Sequence, residues 1–269
     1  MKTEVLAAVL ENLRVKKPLI LSLTNSVVQN FTANMLLAVG AAPVMLNDAV
    51  ECAQLMKVCG SGLLVNVGTL STAQAEVMRC AVDAAHTSGR PWVLDPVAVG
   101  LLGFRTEFCR ELLSMHPTLI RGNASEIMAL AGESDGGRGT DTTEESIAAL
   151  HAARVLARRC SCTVLVTGAV DYVTDGERVL ALGNGDELMT RVTGVGCAMG
   201  AMAAACVAVA PDSFTGAAAC AAILGLAGER AAVRCARPGS FAAALLDELD
   251  ALTPADVEKF TRVVEDSDL

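Results

Sequence analysis

The chain has 269 residues and a formal charge of −9; 52% of its residues are apolar while only 3% are aromatic. It is long enough to bury a substantial core, built from closely packed Ala, Val, Leu and Met, and such small-residue packing also suits subunit interfaces. Acidic and basic residues are interspersed with no basic stripe, so neither nucleic acid nor an anionic membrane is an expected partner.

The opening MKTEVLAAVLENLRVKK carries Glu4 and Glu11 inside its apolar pattern. It reads as an amphipathic helix and not as a signal peptide. Short β-rich runs then alternate with longer segments of helical period. PLILSLTN precedes a helix over Val27 to Val39, APVMLN one over Asp48 to Cys59, and GLLVNVG one over Ser71 to Ser88. PWVLDPV precedes a helix over Phe104 to Met115, and TLIRGN one over Ala124 to Ala131. This repeated βα pattern predicts a mostly parallel sheet with helices on its faces. A polar, Gly-rich stretch, GESDGGRGTDTTEE, reads as a surface connector; a helix over Ser146 to Arg158 and the strand CTVLVTG follow. YVTD-G-ERVLAL has an Asp-Gly turn between two short runs and predicts a hairpin. From Cys197 onward nearly everything reads as helix. No transmembrane span is expected: Gly200 to Ala210 is too short, and Pro211-Asp212-Ser213 separates it from Gly216 to Ala227. We expect one domain over residues 1–269.

The ten cysteines are scattered through apolar runs without a Cys-x-x-Cys pair, which reads as reduced cytosolic thiols. His86, His116 and His151 stand far apart without a matching Cys or Asp cluster, so no zinc site is proposed.

The strand candidates end in polar or turn residues: Asn25, then Asn66 and Gly68, Asp95-Pro96, Arg121-Gly122-Asn123, and Thr167-Gly168. In a parallel sheet these ends share the edge at which ligands of open α/β folds bind. Strands end in turn residues in any case. The joint presence of an Asp, an Arg and an Asn-x-x-Glu at one edge is what points to chemistry.

Thr193-Gly194-Val195-Gly196-Cys197 leads directly into a helix, and free amides at a helix N-terminus make an anion site suited to phosphate. A Walker loop would need Gly-Lys-Ser/Thr, and a dinucleotide fingerprint would lie early with an acid about 20 residues on. A cysteine phosphatase would need a basic residue soon after the thiol. None of these fits. Cys197 reads equally as a packed thiol or as a reactive one whose thiolate the helix start favours.

The motifs together resemble a known family. Gly-x-Gly-Cys at 194–197, NASE at Asn123 to Glu126, VLDPV around Asp95 and LTNSVVQNFTAN near the N-terminus are similar to hydroxyethylthiazole kinases of the ribokinase-like superfamily. The resemblance runs from about Leu19 to Leu252. It implies a ribokinase-like three-layer αβα fold with a helical C-terminal part. It implies transfer of phosphate from ATP, with Mg2+, to the hydroxyl of 4-methyl-5-(2-hydroxyethyl)thiazole in thiamine salvage, in a cytoplasmic homotrimer with sites between neighbours. It further implies Cys197 as the catalytic residue facing the hydroxyl, and Asn25, Met45 and Gly194 around the thiazole. Arg121, Thr167, Gly168 and Gly196 would take ATP, and Asp95 and Glu126 the metal. For Glu126 a capping box with Asn123 is an equally good reading. Met45, in APVMLN, reads by itself as core. A kinase for another small heterocyclic alcohol, such as a hydroxymethylpyrimidine, and a non-catalytic nucleotide-binding module remain as alternatives. The Gly132 to Thr143 segment is unusually rich in Gly, Asp and Arg for a nucleotide-side flap.

Overall fold

A computed structural model describes residues 1–133 and 143–264. Of the connector expected between the helix over Ala124 to Ala131 and the one over Ser146 to Arg158, residues 134–142 lie outside the described residues. In chain order the elements are α1 (Thr3–Lys16), β1 (Leu19–Leu23), α2 (Gln29–Val39), β2 (Ala42–Val44), α3 (Ala49–Val58), β3 (Gly62–Asn66), α4 (Thr72–Thr87), β4 (Trp92–Asp95), α5 (Gly103–Leu113), β5 (Leu119–Asn123), α6 (Ala124–Ala131) and α7 (Thr143–Cys160). They continue with β6 (Thr163–Thr167), β7 (Asp171–Thr174), β8 (Val179–Leu182), a short 3-10 turn at Glu187–Arg191, α8 (Val195–Val209), α9 (Ser213–Arg234), α10 (Pro238–Ala251), α11 (Pro254–Phe260) and β9 (Val263–Val264).

All strands join one nine-stranded sheet in the order β2-β1-β3-β4-β5-β6-β7-β8-β9. Pairing is parallel from β2 through β6 and antiparallel from β6 to β9. The strands are continuous apolar runs because helices cover both faces. On one face Ile20, Leu64, Val93, Leu119 and Leu165 pack with residues of α1, α2, α8, α9 and α10. On the other, Leu21, Leu63, Trp92, Leu94, Ile120 and Val164 pack with α3 to α7. The architecture is therefore the three-layer αβα arrangement, with α8 to α11 supplying the helical C-terminal part. The chain runs from β1 outward to the edge strand β2 and returns across β1 to β3. That reversal opens a crevice beyond the C-terminal ends of β1 and β3, where α/β sheets take ligands.

Three expectations are corrected. The second strand stops at Val44, so Met45 lies beyond the edge strand, half-buried, and joins neither core. The glycine turn already belongs to α8, which starts at Val195 and not at Cys197. The apolar stretch after Pro211 extends to Arg234, making α9, among the described residues, long and apolar enough to cross a membrane. Its apolarity has a different cause: Phe214 through Gly228 are buried within the fold. The predicted hairpin forms as β7 and β8, with Gly176 at φ 96° in its turn.

Alanine and glycine let α8 and α9 approach closely. A Cβ on Gly216 would lie 2.7 Å from Val207 Cα and 2.9 Å from Val207 N, and backbone cannot step aside as a side-chain tip can. Gly216→Ala is expected to destabilise the protein by about 1–3 kcal/mol, the usual cost of overpacking. Urea denaturation checks this; an unchanged midpoint would show that the two helices have slack.

Candidate active site

The ends of β1, β3, β4, β5 and β6 deliver Asn25, Asn66, Asp95, Arg121 and Thr167 to one edge, and the start of α8 closes over them. Registers in the sheet set the spacing: Asn66 lies opposite Asp95, and Asn123 opposite Thr167. Asp95 is fully buried. Its Oδ2 accepts a hydrogen bond from Asn66 Nδ2 at 2.5 Å, while Oδ1 faces Arg121 Nη1 at 3.7 Å without a hydrogen bond. Arg121 Nη2 donates to Thr167 Oγ1 at 2.9 Å, and the side chain of Arg121 is only 12% exposed. The buried Arg121 Nε has no partner. This guanidinium is thus anchored at one corner with hydrogen-bonding capacity left over, a combination suited to an incoming anion.

The turn of α8 lies against it. Gly194 caps the helix at φ 102°, a left-handed conformation that glycine adopts without strain. Val195 N donates back to Val192 O ahead of the helix, and Ala198 N, which donates to Gly194 O, is the first amide to find an acceptor across the helix's own first turn. The amides of Gly196 and Cys197 precede it and have no acceptor within the helix. A Cβ on Gly196 would lie 3.2 Å from Arg121 Nη2, so a side chain there would crowd the guanidinium that shares this small volume with the amides. Cys197 is half-buried, and its Sγ accepts a hydrogen bond from Asn25 Nδ2 at 3.3 Å.

The electrostatics correct one expectation. The helix start was expected to favour the Cys197 thiolate, but burial pushes the thiol up, and the nearby Asp95 charge adds to this. Hydrogen bonds from Asn66 and Asn25 and the positive charge of Arg121 offset part of the rise. A sulfur withdrawn from water beside a carboxylate is costly to charge. Asp95 itself is pushed from its ordinary 3.8 to about 7 by burial, with Arg121 and the Asn66 hydrogen bond opposing.

Glu126 performs the capping role: Asn123 Oδ1 accepts from Glu126 N, and Glu126 Oε2 accepts from Asn123 N at 2.9 Å. Its Oε1 accepts from Ala98 N at 3.0 Å, holding a loop residue at φ 59°. Each oxygen keeps a spare lone pair and the residue is half-buried, so Glu126 fits a contact with the water shell of Mg2+. Asp95 is enclosed between Asn66 and Arg121, with its Oδ1 left without a hydrogen bond. Among the described residues no three His, Cys, Asp or Glu side chains converge on a metal position. Gly168 is exposed past β6, its amide donating to Asp171 Oδ1. Gly194 borders Val28 and Phe31 of the α2 start. Met45 alone among the sequence-derived residues stands apart, at the edge strand.

Sequence reasoning missed three participants. Asn66, noted only as a strand end, links Asn25 to Asp95. Arg105 on α5 ties two site loops together through Gly68 O and Val97 O. Asp171 on β7 holds the Gly168 amide. A polar residue closing the buried run GLLVN was the available signal for the first; a helical arginine and a hairpin aspartate gave none.

The sequence model of the Hydroxyethylthiazole kinase family matches residues 10–255. The chain belongs to that family. A hydroxyethylthiazole kinase from Akkermansia muciniphila is 51% identical over 259 residues, 96% of each chain. One from Klebsiella pneumoniae is 56% identical over 237 residues, covering 88% of this chain and 91% of that one. The solved hydroxyethylthiazole kinase from Pyrococcus horikoshii superposes with a TM-score of 0.89 at 37% identity, covering 97% of this chain and 99% of that one. A Staphylococcus aureus pyridoxal kinase shares the fold at a TM-score of 0.62 and 14% identity, with 79% and 88% covered. The fold is ribokinase-like, and this hydroxyethylthiazole kinase family member is a phosphotransferase that uses ATP as co-substrate.

The raised pKa of Asp95 has a thermodynamic consequence. A carboxyl whose folded pKa exceeds its unfolded value stabilises the fold in its protonated form; that contribution is complete below about 4 and is lost as pH rises through about 7. In magnesium-free buffer, Asp95→Asn should therefore gain stability relative to the parent between pH 4 and 8. Chemical denaturation at both ends of that range checks this, and parallel pH curves would refute the assignment.

Proposed function

We propose that the protein, as a single kinase domain over residues 1–269, transfers the γ-phosphoryl group of ATP to the primary hydroxyl of 4-methyl-5-(2-hydroxyethyl)thiazole, a step of thiamine salvage. Family membership supports the reaction. The observation that carries the local assignment is the convergence of the free α8 amides, the half-satisfied Arg121 guanidinium and the Cys197 sulfur in one crevice.

Phosphoryl transfer passes through a loose transition state, so positioning and charge stabilisation dominate. The amides of Gly196 and Cys197 and the unpaired face of Arg121 stabilise the negative oxygens of the moving phosphoryl. Thr167 holds Arg121 in place, and Thr167 and Gly168 border the nucleotide. Asn25 and Gly194 line the alcohol's side of the crevice. Cys197 meets the hydroxyl. With its thiol pushed up by burial it is a weak base: it orients the hydroxyl and, as thiolate, takes the alcohol's proton only late, as the new O–P bond forms and the bond to ADP breaks. Mg2+, when bound, would neutralise charge on the phosphate chain; Glu126 would hold it through its water shell, and Asp95 would set the local potential from beneath Arg121.

The isolated position of Met45 supports the homotrimer. Just past the end of an edge strand and outside both cores, it is free to cover the thiazole pocket of a neighbouring copy, where a polarizable thioether suits a sulfur heterocycle. Free cysteines throughout the described residues and the use of ATP favour a cytoplasmic setting.

ADP release measured with a panel of alcohols should show turnover with the thiazole alcohol far above that with hydroxymethylpyrimidine. No rate above background with the thiazole would remove this reading. Cys197→Ala, with folding verified, should lower kcat on the order of 10²-fold, the low end for a positioned proton acceptor, with ATP affinity little changed. An unaltered kcat would return Cys197 to packing.

A further inference from the structure

The oxygen and nitrogen of an asparagine amide are nearly the same size, so which one faces a neighbour is decided by the donors and acceptors around it. At this site the decision can be traced from one residue. Asn66 is 1% exposed. Its Oδ1 accepts from the backbone N–H of Gly68 at 3.0 Å, a group that can only donate. Its Nδ2 consequently faces Asp95 Oδ2. The same Oδ1 takes one hydrogen of Asn25 Nδ2 at 3.0 Å. Asn25, 5% exposed, accepts from Val27 N through its own Oδ1 at 3.2 Å, and its other amide hydrogen points at Cys197 Sγ. Both lone pairs of Asn66 Oδ1 and both hydrogens of Asn25 Nδ2 are thus used, in surroundings where water cannot substitute. A leucine would pack equally well at the end of β3, but it would leave the Gly68 amide and one Asn25 hydrogen unpaired and Asn25 free to turn over.

We propose that Asn66 is a positioning residue: anchored by the Gly68 amide and Asp95, it fixes the orientation of Asn25 so that an N–H, and not the carbonyl oxygen, faces the Cys197 sulfur. The sulfur then accepts a hydrogen bond from the protein, which stabilises negative charge on it and leaves its S–H directed toward the crevice. The consequence for turnover rests on the phosphoryl-transfer reading above; the orientation itself does not.

The test uses the full chain as Asn66→Ala, Asn25→Ala and the double variant, with thermal melts as folding controls. Asn66→Ser serves as a milder replacement that can still accept from Gly68. The substrate-free readout is the rate of Cys197 carbamidomethylation by iodoacetamide at fixed pH, followed by peptide mass spectrometry so that the other nine cysteines do not interfere. Loss of the N–H to sulfur should slow alkylation by about threefold to tenfold, since thiolate fraction falls faster than nucleophilicity rises. Asn66→Ala and Asn66→Ser should both show this, and because Asn66 also acts on the sulfur directly, adding Asn66→Ala to Asn25→Ala should slow the rate by less than Asn66→Ala slows it in the parent. In turnover, kcat should fall with KM for ATP little changed. Unchanged alkylation in both Asn66 variants, or losses that multiply in the double variant, would overturn the proposal. Absent turnover in the parent would instead sink the functional reading while leaving the alkylation result to decide this one.

Discussion

A carboxylate buried completely at the end of a central strand is the constraint on which this site depends. Asp95 has no water to solvate it, and the partners that offset its burial are the Arg121 guanidinium and the Asn66 amide. Removing either would push the carboxyl further toward its neutral form, because an uncompensated charge is expensive in a low-dielectric interior. The carboxylate therefore holds Arg121 at the sheet edge from below, and Thr167 holds it from the side. What faces upward is a guanidinium with unspent hydrogen-bonding capacity, directly beneath the free amides of α8. The meeting of guanidinium and free amides is set by this buried carboxyl as much as by the glycine turn.

The helix supplies the other half through small residues. Gly200, one turn beyond Cys197, faces Asp95 Oδ2, where a Cβ would lie at 3.3 Å, and Leu64, where it would lie at 2.9 Å. Gly196 leaves room for Arg121 in the same way. A chain with bulkier residues on this face would lift α8 from the sheet and separate sulfur, amides and guanidinium. Low aromatic content and an Ala-rich C-terminal half are thus part of the functional geometry. In the proposed reaction the alcohol, the phosphoryl group and the metal's water shell would take separate sides of one crevice, reached from β1, from β5 and β6, and from α6.

The topology explains why the crevice lies where it does. The reversal between β2 and β3 separates the loops that follow β1 and β3, and α8, arriving late in the chain, covers the opening. Local alternation of apolar runs and turn residues was enough to read the strands through β6 and the hairpin after them, because each strand is buried on both faces and bounded by polar residues. Boundaries were harder to read. APVMLN runs on as a β-like pattern past Val44, but the ladder of the edge strand β2 stops at the Leu21–Val44 pair while β1 continues to Leu23 beside β3, so Met45 is left outside the pairing. The short β9 was illegible, since two valines acquire strand character only by lying beside β8.

By itself the sequence determined the fold class, the family and most of the residues at the crevice, because these follow from local pattern and from motifs a few residues long. The tertiary structure alone decided the electrical state of the site and the direction of its hydrogen bonds. Those depend on groups that meet across 29, 41 and 172 residues of chain, at Asp95 with Asn66, Asn66 with Asn25, and Asn25 with Cys197. Burial and neighbouring charge act through space, and no local stretch of residues encodes how little water will remain around Cys197 once the helix closes over the sheet.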